Sequence, residues 1–464
     1  MLPTSLAQIA VLTGGTLAAV PDPDTIVTGP VTFDSRRVVP GALFAALPGE
    51  HTDGHDHAEQ AVTTGALAAL TTRPVASTAC IVVPDVLAAL TVLARTMATD
   101  FTGTTIGITG SAGKTSTKDL LKHILATAGP TVATEGSFNN ELGLPVTVLR
   151  TEPDTAFLVL EMGARGKGHI AHLASVAPPD IACCLPIGRA HLGEFGSRRA
   201  IAEAKREIVE DLPPTGTAVL CADDPLVLAM AQHTRAGVLT FGTEPGADVR
   251  ATDIKLDDRG RPHFTLTHDG VSEAVQLAVH GEHHVTNALA AAAIALAAGL
   301  DLPAIAGALT TATIDSGGRM ELLERADGTT VINDAFNAAP ESVTAALNSL
   351  RPLAAGRPLL AVLGEMAELG DDGEAVHATT GVAVARSGVS HLVTIGGERA
   401  RLLGEMAAQA GVTTVHADNR EHAHRLIAGY LADLGQPAVV LVKGAHGLGL
   451  EHLARALADP TPAA

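Results

Sequence analysis

Residues 108–116, ITGSAGKTS, bring glycine, lysine and hydroxyl side chains together at a spacing suited to holding phosphate. Backbone N–H groups of a glycine loop and the N-terminus of a following helix attract anionic oxygens, Lys114 adds a positive charge, and Thr115 offers a hydroxyl to Mg2+. Gly110, Gly113, Lys114, Thr115 and Ser116 are therefore the nucleotide-binding candidates. The general GxxxxGK pattern needs glycine at 108, where Ile108 stands, so the motif is the shorter TGxxGKT. An ordinary strand-to-helix turn with a fortuitous lysine competes with this reading. The context weighs against the turn, because strand, loop and helix follow in the order a phosphate loop requires.

The elements around the loop must hold it still. TTIGIT, beginning at Thr104, reads as a strand, and KTSTKDLLKHILATAG as a helix closed by Gly129. Further strands are expected at AFLVLEM, DIACCLPIG and GTAVLCADD with helices between them, the βαβ pattern of a parallel sheet. From Ala251 to His280 the residues alternate apolar and polar around two turn signals, which predicts a small antiparallel appendage. An Ala-rich helix is expected from His284 to Leu300. After the small-residue segment 311–320, TTVIND, RPLLAVLGEM, SHLVTIGG and PAVVLVKGA predict a second doubly wound unit. Residues before about 98 read as a mixed α/β region. The expectation is an α/β protein of three domains, 1–98, 99–313 and 314–464, in keeping with 464 residues at roughly 150 per domain.

Composition excludes several classes. Thirty-one Lys and Arg against 50 Asp and Glu give a net charge of −19, which repels a polyphosphate backbone, so no nucleic-acid partner is expected. Mean hydropathy is +0.27. The longest uncharged apolar stretch, Ala288–Leu300, falls short of the ~20 residues of a membrane span. The N-terminus lacks a basic segment and does not read as a secretory signal, so a cytoplasmic protein is expected. Cys80, Cys183, Cys184 and Cys221 form no CxxC pair and read as core thiols. HTDGHDH, residues 51–57, has the composition of a metal site, but histidines in a glycine-containing loop are more simply solvated.

The phosphate loop, together with GSFNNELGLPVTVL, LEMGARGKGHI, AHLGEFGS, AKREI, GEHHVTNALAA, GGRM, NDAFNAAPES, VLGEMAELG and VLVKGA in that order, resembles the Mur ligase family of ATP-dependent amide-forming enzymes. The resemblance spans nearly the whole chain. It is strongest to the branch that adds D-alanyl-D-alanine to UDP-N-acetylmuramoyl-tripeptide through an acyl phosphate in peptidoglycan precursor synthesis. It implies a three-domain fold with a central ATP-binding domain, an N-terminal domain that binds the UDP-sugar and a C-terminal acceptor domain. By resemblance Thr115 and Glu161 hold one Mg2+ and His191 helps to hold a second, with Lys205 as a carbamate. Lys114, His191 and Lys205 are then the catalytic set. Asn287 meets the adenine, Arg319 a phosphate and Asp334 the ribose. Ser35, Arg36, Asn139 and Asn140 face the UDP-muramoyl peptide, and Asn337, Lys443 and His446 the acceptor. A monomer is expected.

Read without the family, several of these positions stay open. Glu161 reads equally as a solvated loop acid, His191 as a surface or capping histidine, and Asn287 as a helix asparagine. Asn139 and Asn140 read equally as turn residues, and Lys205 as a solvated lysine pairing with a nearby glutamate on a surface helix. The chain also departs from the family pattern. Pro186 and His284 each stand where asparagine is common, Phe336 where tyrosine is usual, and Gly193 and Glu194 are in reversed order. The largest departure is KGAHG, residues 443–447, where the family tends to have KGSR. His446 is then expected to take over carboxylate recognition. A paralogue with a different amino acid or dipeptide as acceptor, a non-catalytic UDP-sugar-binding protein, and a phosphate-loop kinase or GTPase are the competing functions.

Overall fold

The computed structural model describes residues 1–49, 52–189 and 192–459. Among them the largest sheet has nine strands, and the strand that feeds the phosphate loop, Thr104–Thr109, lies in its interior. On one side it pairs in parallel with Phe157–Glu161 and then Thr131–Ala133. On the other it pairs in parallel with Ile181–Cys184, followed by Thr217–Cys221, Gly237–Gly242 and Val249–Leu256. The order therefore reverses at Thr104–Thr109, and a crevice opens beyond the carboxyl ends of the strands where ligands of such sheets bind. The predicted appendage is present as Val249–Leu256, Pro262–His268 and Val271–Gln276, but it extends the same sheet as antiparallel edge strands.

Helix Lys114–Leu125 packs on helix His284–Ala297. Every residue from Ala288 to Ala295 is fully buried, and the small side chains allow the two helices to approach closely. With one tyrosine, nine phenylalanines and no tryptophan in the chain, aliphatic packing of this kind supplies the cores. All four cysteines are free and buried, Cys80 in the N-terminal sheet and the other three on adjacent central strands.

The C-terminal sheet runs Glu321–Glu324, Thr330–Asn333, Val439–Lys443, Leu359–Gly364, His391–Ile395 and Thr413–Ala417, parallel except for its first strand. The N-terminal residues build a five-stranded mixed sheet from Thr16–Ala18, Cys80–Val82, Ala68–Thr71, Leu43–Ala45 and Val31–Thr32. Arg37 pairs with Glu135 at 2.7 Å and ties this region to the central sheet. The linker to the C-terminal sheet is pinned to the phosphate-loop helix. Lys122 pairs with Asp315 at 2.9 Å, and the Ser316 N–H donates to Asp119, which also pairs with buried Lys118. No described helix is long and apolar enough to cross a membrane.

Candidate active site

A cavity of about 720 Å³ lies where the central and C-terminal sheets face each other. Its floor is the phosphate loop. Gly113 turns there with φ +83°, and a Cβ would run into the Asn287 side chain, so only glycine fits. The Lys114 ammonium donates to the Gly110 carbonyl at 2.9 Å, inside the curve of the loop. Burial pushes its pKa below the ordinary lysine range, nearby Glu161 opposes that shift, and Arg319 reinforces it.

Glu161 ends its strand directly opposite Ile108 and is 1% exposed. Its carboxylate accepts from the Thr115 hydroxyl and from the Asn139 amide, both at 2.7 Å. Arg319 reaches across from the start of the C-terminal sheet and donates to Thr115 Oγ1 at 2.8 Å. Its guanidinium carbon lies 4.3 Å from the Phe336 ring centroid, a cation–π contact, while its buried Nε–H has no partner among the described residues. Thr115, Glu161, Asn139 and Arg319, far apart in sequence, thus form one hydrogen-bonded cluster at the cavity wall.

Lys205 corrects the sequence reading. It is not a solvated surface lysine but lies 2% exposed on helix Arg198–Glu210, facing the cavity. The i,i+4 pairs with glutamate exist on that helix, but arginines make them, Arg199 with Glu203 and Arg206 with Glu210. Burial, and then the Lys114 charge, bring the Lys205 amine down to about 7.

Asn287 also borders the cavity, with its side chain against Gly113 and its amide 3.3 Å from His284 Nδ1. Asp334 and Lys443 face each other at 2.6 Å, and Lys443 also donates to the carbonyls of Asp334 and Asn337. Asp334 further accepts from the Met320 N–H. Ser116, Asn140 and Asn337 line the same cavity, and Asn140 and Asn337 are exposed at its rim. Both rim side chains accept from nearby backbone N–H groups, as turn residues do.

Ser35, Arg36 and His446 are not among the cavity residues. Arg36 is held bidentately by Asp34, whose carboxyl is lowered to about 2, and its side chain is 86% exposed. His446 is exposed, with its ring 5.3 Å from that of Phe336. His191 lies outside the described residues. In the HTDGHDH loop, where His51 is also outside them, His55 is buried rather than solvated. It bonds to Asp53 through Nδ1 and accepts the Thr72 N–H at Nε2, so neither ring nitrogen is open to a metal.

Sequence reasoning missed Glu341. It sits in the first turn of helix Pro340–Ala354, lines the cavity and accepts the Arg189 N–H at 2.8 Å. The buried pair Lys118 and Asp119 was also missed. For Lys118 the available signal was its place on the helical stripe of Leu121 and Leu125, three and seven residues on; Asp119 lies off that stripe.

Family models for the Mur ligase catalytic, middle and glutamate ligase domains match residues 30–96, 108–295 and 318–446. UDP-N-acetylmuramoyl-tripeptide–D-alanyl-D-alanine ligase of Mycobacterium tuberculosis is 45% identical, with 99% of each chain covered. The chain belongs to the Mur ligase family. The ligase of the same name from Escherichia coli is 34% identical over 99% of both chains. Among solved Mur ligases, MurF from Acinetobacter baumannii superposes with a TM-score of 0.85 at 32% identity, covering 98% of this chain and 99% of that one. MurF from Thermotoga maritima, solved in complex with ADP, gives 0.77 at 28% identity over 93% and 97%. The three-domain Mur ligase fold and ATP-dependent ligase class expected from the sequence hold for this chain.

Proposed function

We propose that this chain joins D-alanyl-D-alanine to UDP-N-acetylmuramoyl-tripeptide at the expense of ATP, the reaction for which its full-length relatives are named. The observation that carries the proposal is the hydrogen bond from Arg319 to Thr115, which brings a C-terminal cation onto the phosphate loop beside Glu161. The tripeptide carboxylate attacks the γ-phosphorus of ATP, and ADP leaves. The dipeptide amine then attacks the acyl phosphate, and the tetrahedral species collapses to amide and phosphate. Lys114 and Arg319 offset the crowded negative charge of carboxylate and triphosphate. Enclosure between the facing sheets excludes water from the acyl phosphate.

One hydroxyl and one carboxylate, completed by phosphate oxygens and water, suit Mg2+, so Thr115 and Glu161 are assigned to it. Mg2+ supplies charge neutralisation at the phosphates. His191 and a carbamate on Lys205 are assigned to a second ion, and the lowered Lys205 pKa favours the neutral amine that carbamate formation needs. Gly110, Gly113, Ser116, Asn287 and Asp334 are assigned to the nucleotide. Asn139, Asn140, Ser35 and Arg36 are assigned to the UDP-muramoyl peptide, and Asn337 and His446 to the dipeptide. With three oxygens already around its ammonium, Lys443 is assigned to holding Asp334 and the 334–337 turn. The units are domains 1–98, 99–313 and 314–464 of a cytoplasmic monomer that serves wall synthesis, and through it cell shape and division.

A phosphate-release assay with UDP-muramoyl-tripeptides against a panel of amines tests this. D-alanyl-D-alanine is expected to be the best acceptor. An inert dipeptide beside another amine that turns over would replace the proposal with the paralogue reading.

A further inference from the structure

The loop that leaves strand Ile181–Cys184 is gripped from two directions. From the central domain, Asp224 accepts the Ile187 N–H at 2.8 Å, Arg198 donates to the Ile187 carbonyl at 2.6 Å, and the Ser111 N–H of the phosphate loop donates to the Pro186 carbonyl. From the C-terminal domain, Glu341 takes the Arg189 N–H and lies so close to Gly188 that a Cβ there would come within 2.7 Å of its carboxyl carbon. A second C-terminal contact falls on helix Leu192–Phe195, where the Gly193 N–H donates to the Glu368 carbonyl at 3.0 Å. A Cβ on Gly193 would stand 2.6 Å from the Gly370 nitrogen, and one on Gly370 would stand 2.7 Å from the Gly193 Cα. Two backbones touch here with no side chain between them, and Gly193 is one of the positions at which the chain departs from the family pattern.

We propose that residues 186–189 and 192–195 form the plate on which the C-terminal domain seats over the nucleotide, with Gly193, Gly370 and Glu341 as positioning residues for the ligase reaction. The proposal rests on the functional reading above. The plate is bonded to the phosphate loop through Ser111, and the seated domain delivers Arg319 to Thr115. Correct seating and correct placement of Arg319 are therefore one event. Each contact acts through Arg319 and not on the substrate.

Gly193→Ala separates this role from a structural one. Gly193 lies in a helix without a positive φ, where alanine is at least as well accommodated, so the undocked protein tolerates the methyl group. Only in the seated state does the methyl meet the Gly370 backbone. The experiment measures kcat by phosphate release, ADP affinity by calorimetry, and compaction by small-angle scattering on adding a non-hydrolysable ATP analogue with the UDP-muramoyl-tripeptide. For Gly193→Ala, ADP affinity is expected to stay within about twofold, kcat to fall about tenfold or more, and compaction to weaken. Glu341→Ala should lower kcat in the same way, and the double variant should lose less than the product of the two single effects, since both contacts serve one docking step. Wild-type kcat and compaction in Gly193→Ala, or fully multiplicative losses, would overturn the proposal. So would a matching loss of ADP affinity, which would place the damage in the nucleotide site. If the wild type turns over no tripeptide with any amine, the functional reading fails, whereas scattering still tests the docking.

Discussion

Replacing Lys205 by methionine keeps an unbranched apolar chain out to the ε carbon, with sulfur in place of the δ methylene, and removes the amine. An ordinary lysine titrates at 10.5, and here burial and Lys114 bring the amine down to about 7. Because the folded pKa is the lower one, the unfolded chain binds the extra proton between these values, and stability rises with pH across that window. At pH 7 the gap corresponds to about 4 kcal/mol by which the protonated amine opposes folding, and below pH 7 the opposition is complete. Lys205→Met should therefore be more stable than wild type at pH 6 to 7, with the difference shrinking towards pH 10, while ligase activity is lost. The same gap leaves about half the amine neutral at pH 7, against roughly one molecule in three thousand for an unperturbed lysine. Neutral nitrogen attacks CO2 and releases a proton to give the carbamate, so bicarbonate should stabilise the wild type and not the methionine variant. Denaturant titrations from pH 6 to 10, with and without bicarbonate, together with carbon-13 NMR of labelled CO2, supply the readout. A methionine variant that is destabilised at every pH, or a wild type indifferent to bicarbonate, would refute the reasoning.

Lys114→Ala should abolish nucleotide-dependent turnover and leave the circular dichroism spectrum unchanged, because the side chain lies in the loop and fills no core; full activity in the folded variant would remove the phosphate-loop assignment. Lys443→Met leaves the buried Asp334 carboxylate without its cation and should destabilise the C-terminal domain by about 3–5 kcal/mol. Adding Asp334→Asn should recover most of that loss, as read from urea unfolding, and an additive double variant would argue against the pair.

The phosphate loop was legible because its signal is local, with glycines, lysine and threonine packed into nine residues between a strand and a helix. The two parallel series were legible for the same reason, each strand being a short apolar run. Without the family resemblance Lys205 passes for a solvated surface lysine, because its type outweighs its position. It falls on the buried stripe with Ile201, Ile208 and Val209, while Arg199 and Arg206 occupy the wet face, so helical periodicity already held the correction. Glu161, Asn139 and Arg319 were recognisable through family resemblance alone, since what joins them to Thr115 is the meeting of separate strands and domains. Glu341 carries no local mark beyond being an acid in the first turn of a helix, and its role exists only across the interface.

The four thiols divide the molecule in a way that bears on how its opening can be watched. One lies in the N-terminal sheet and three in the central sheet, all out of reach of solvent, and the last cysteine of the sequence is Cys221. Burial lifts the Cys184 and Cys221 thiols to about 12 and pushes the Cys183 thiol well above its ordinary value, so in the native protein these three sulfurs are both covered and un-ionised. An alkylating reagent can then count only molecules whose sheets have come apart. Cys80 keeps time for the first sheet and the Cys183, Cys184 and Cys221 group for the second, while release of the C-terminal sheet alone passes without a mark. The chain thus carries a native chemical clock for its five-stranded N-terminal sheet and its nine-stranded central sheet, with no label added.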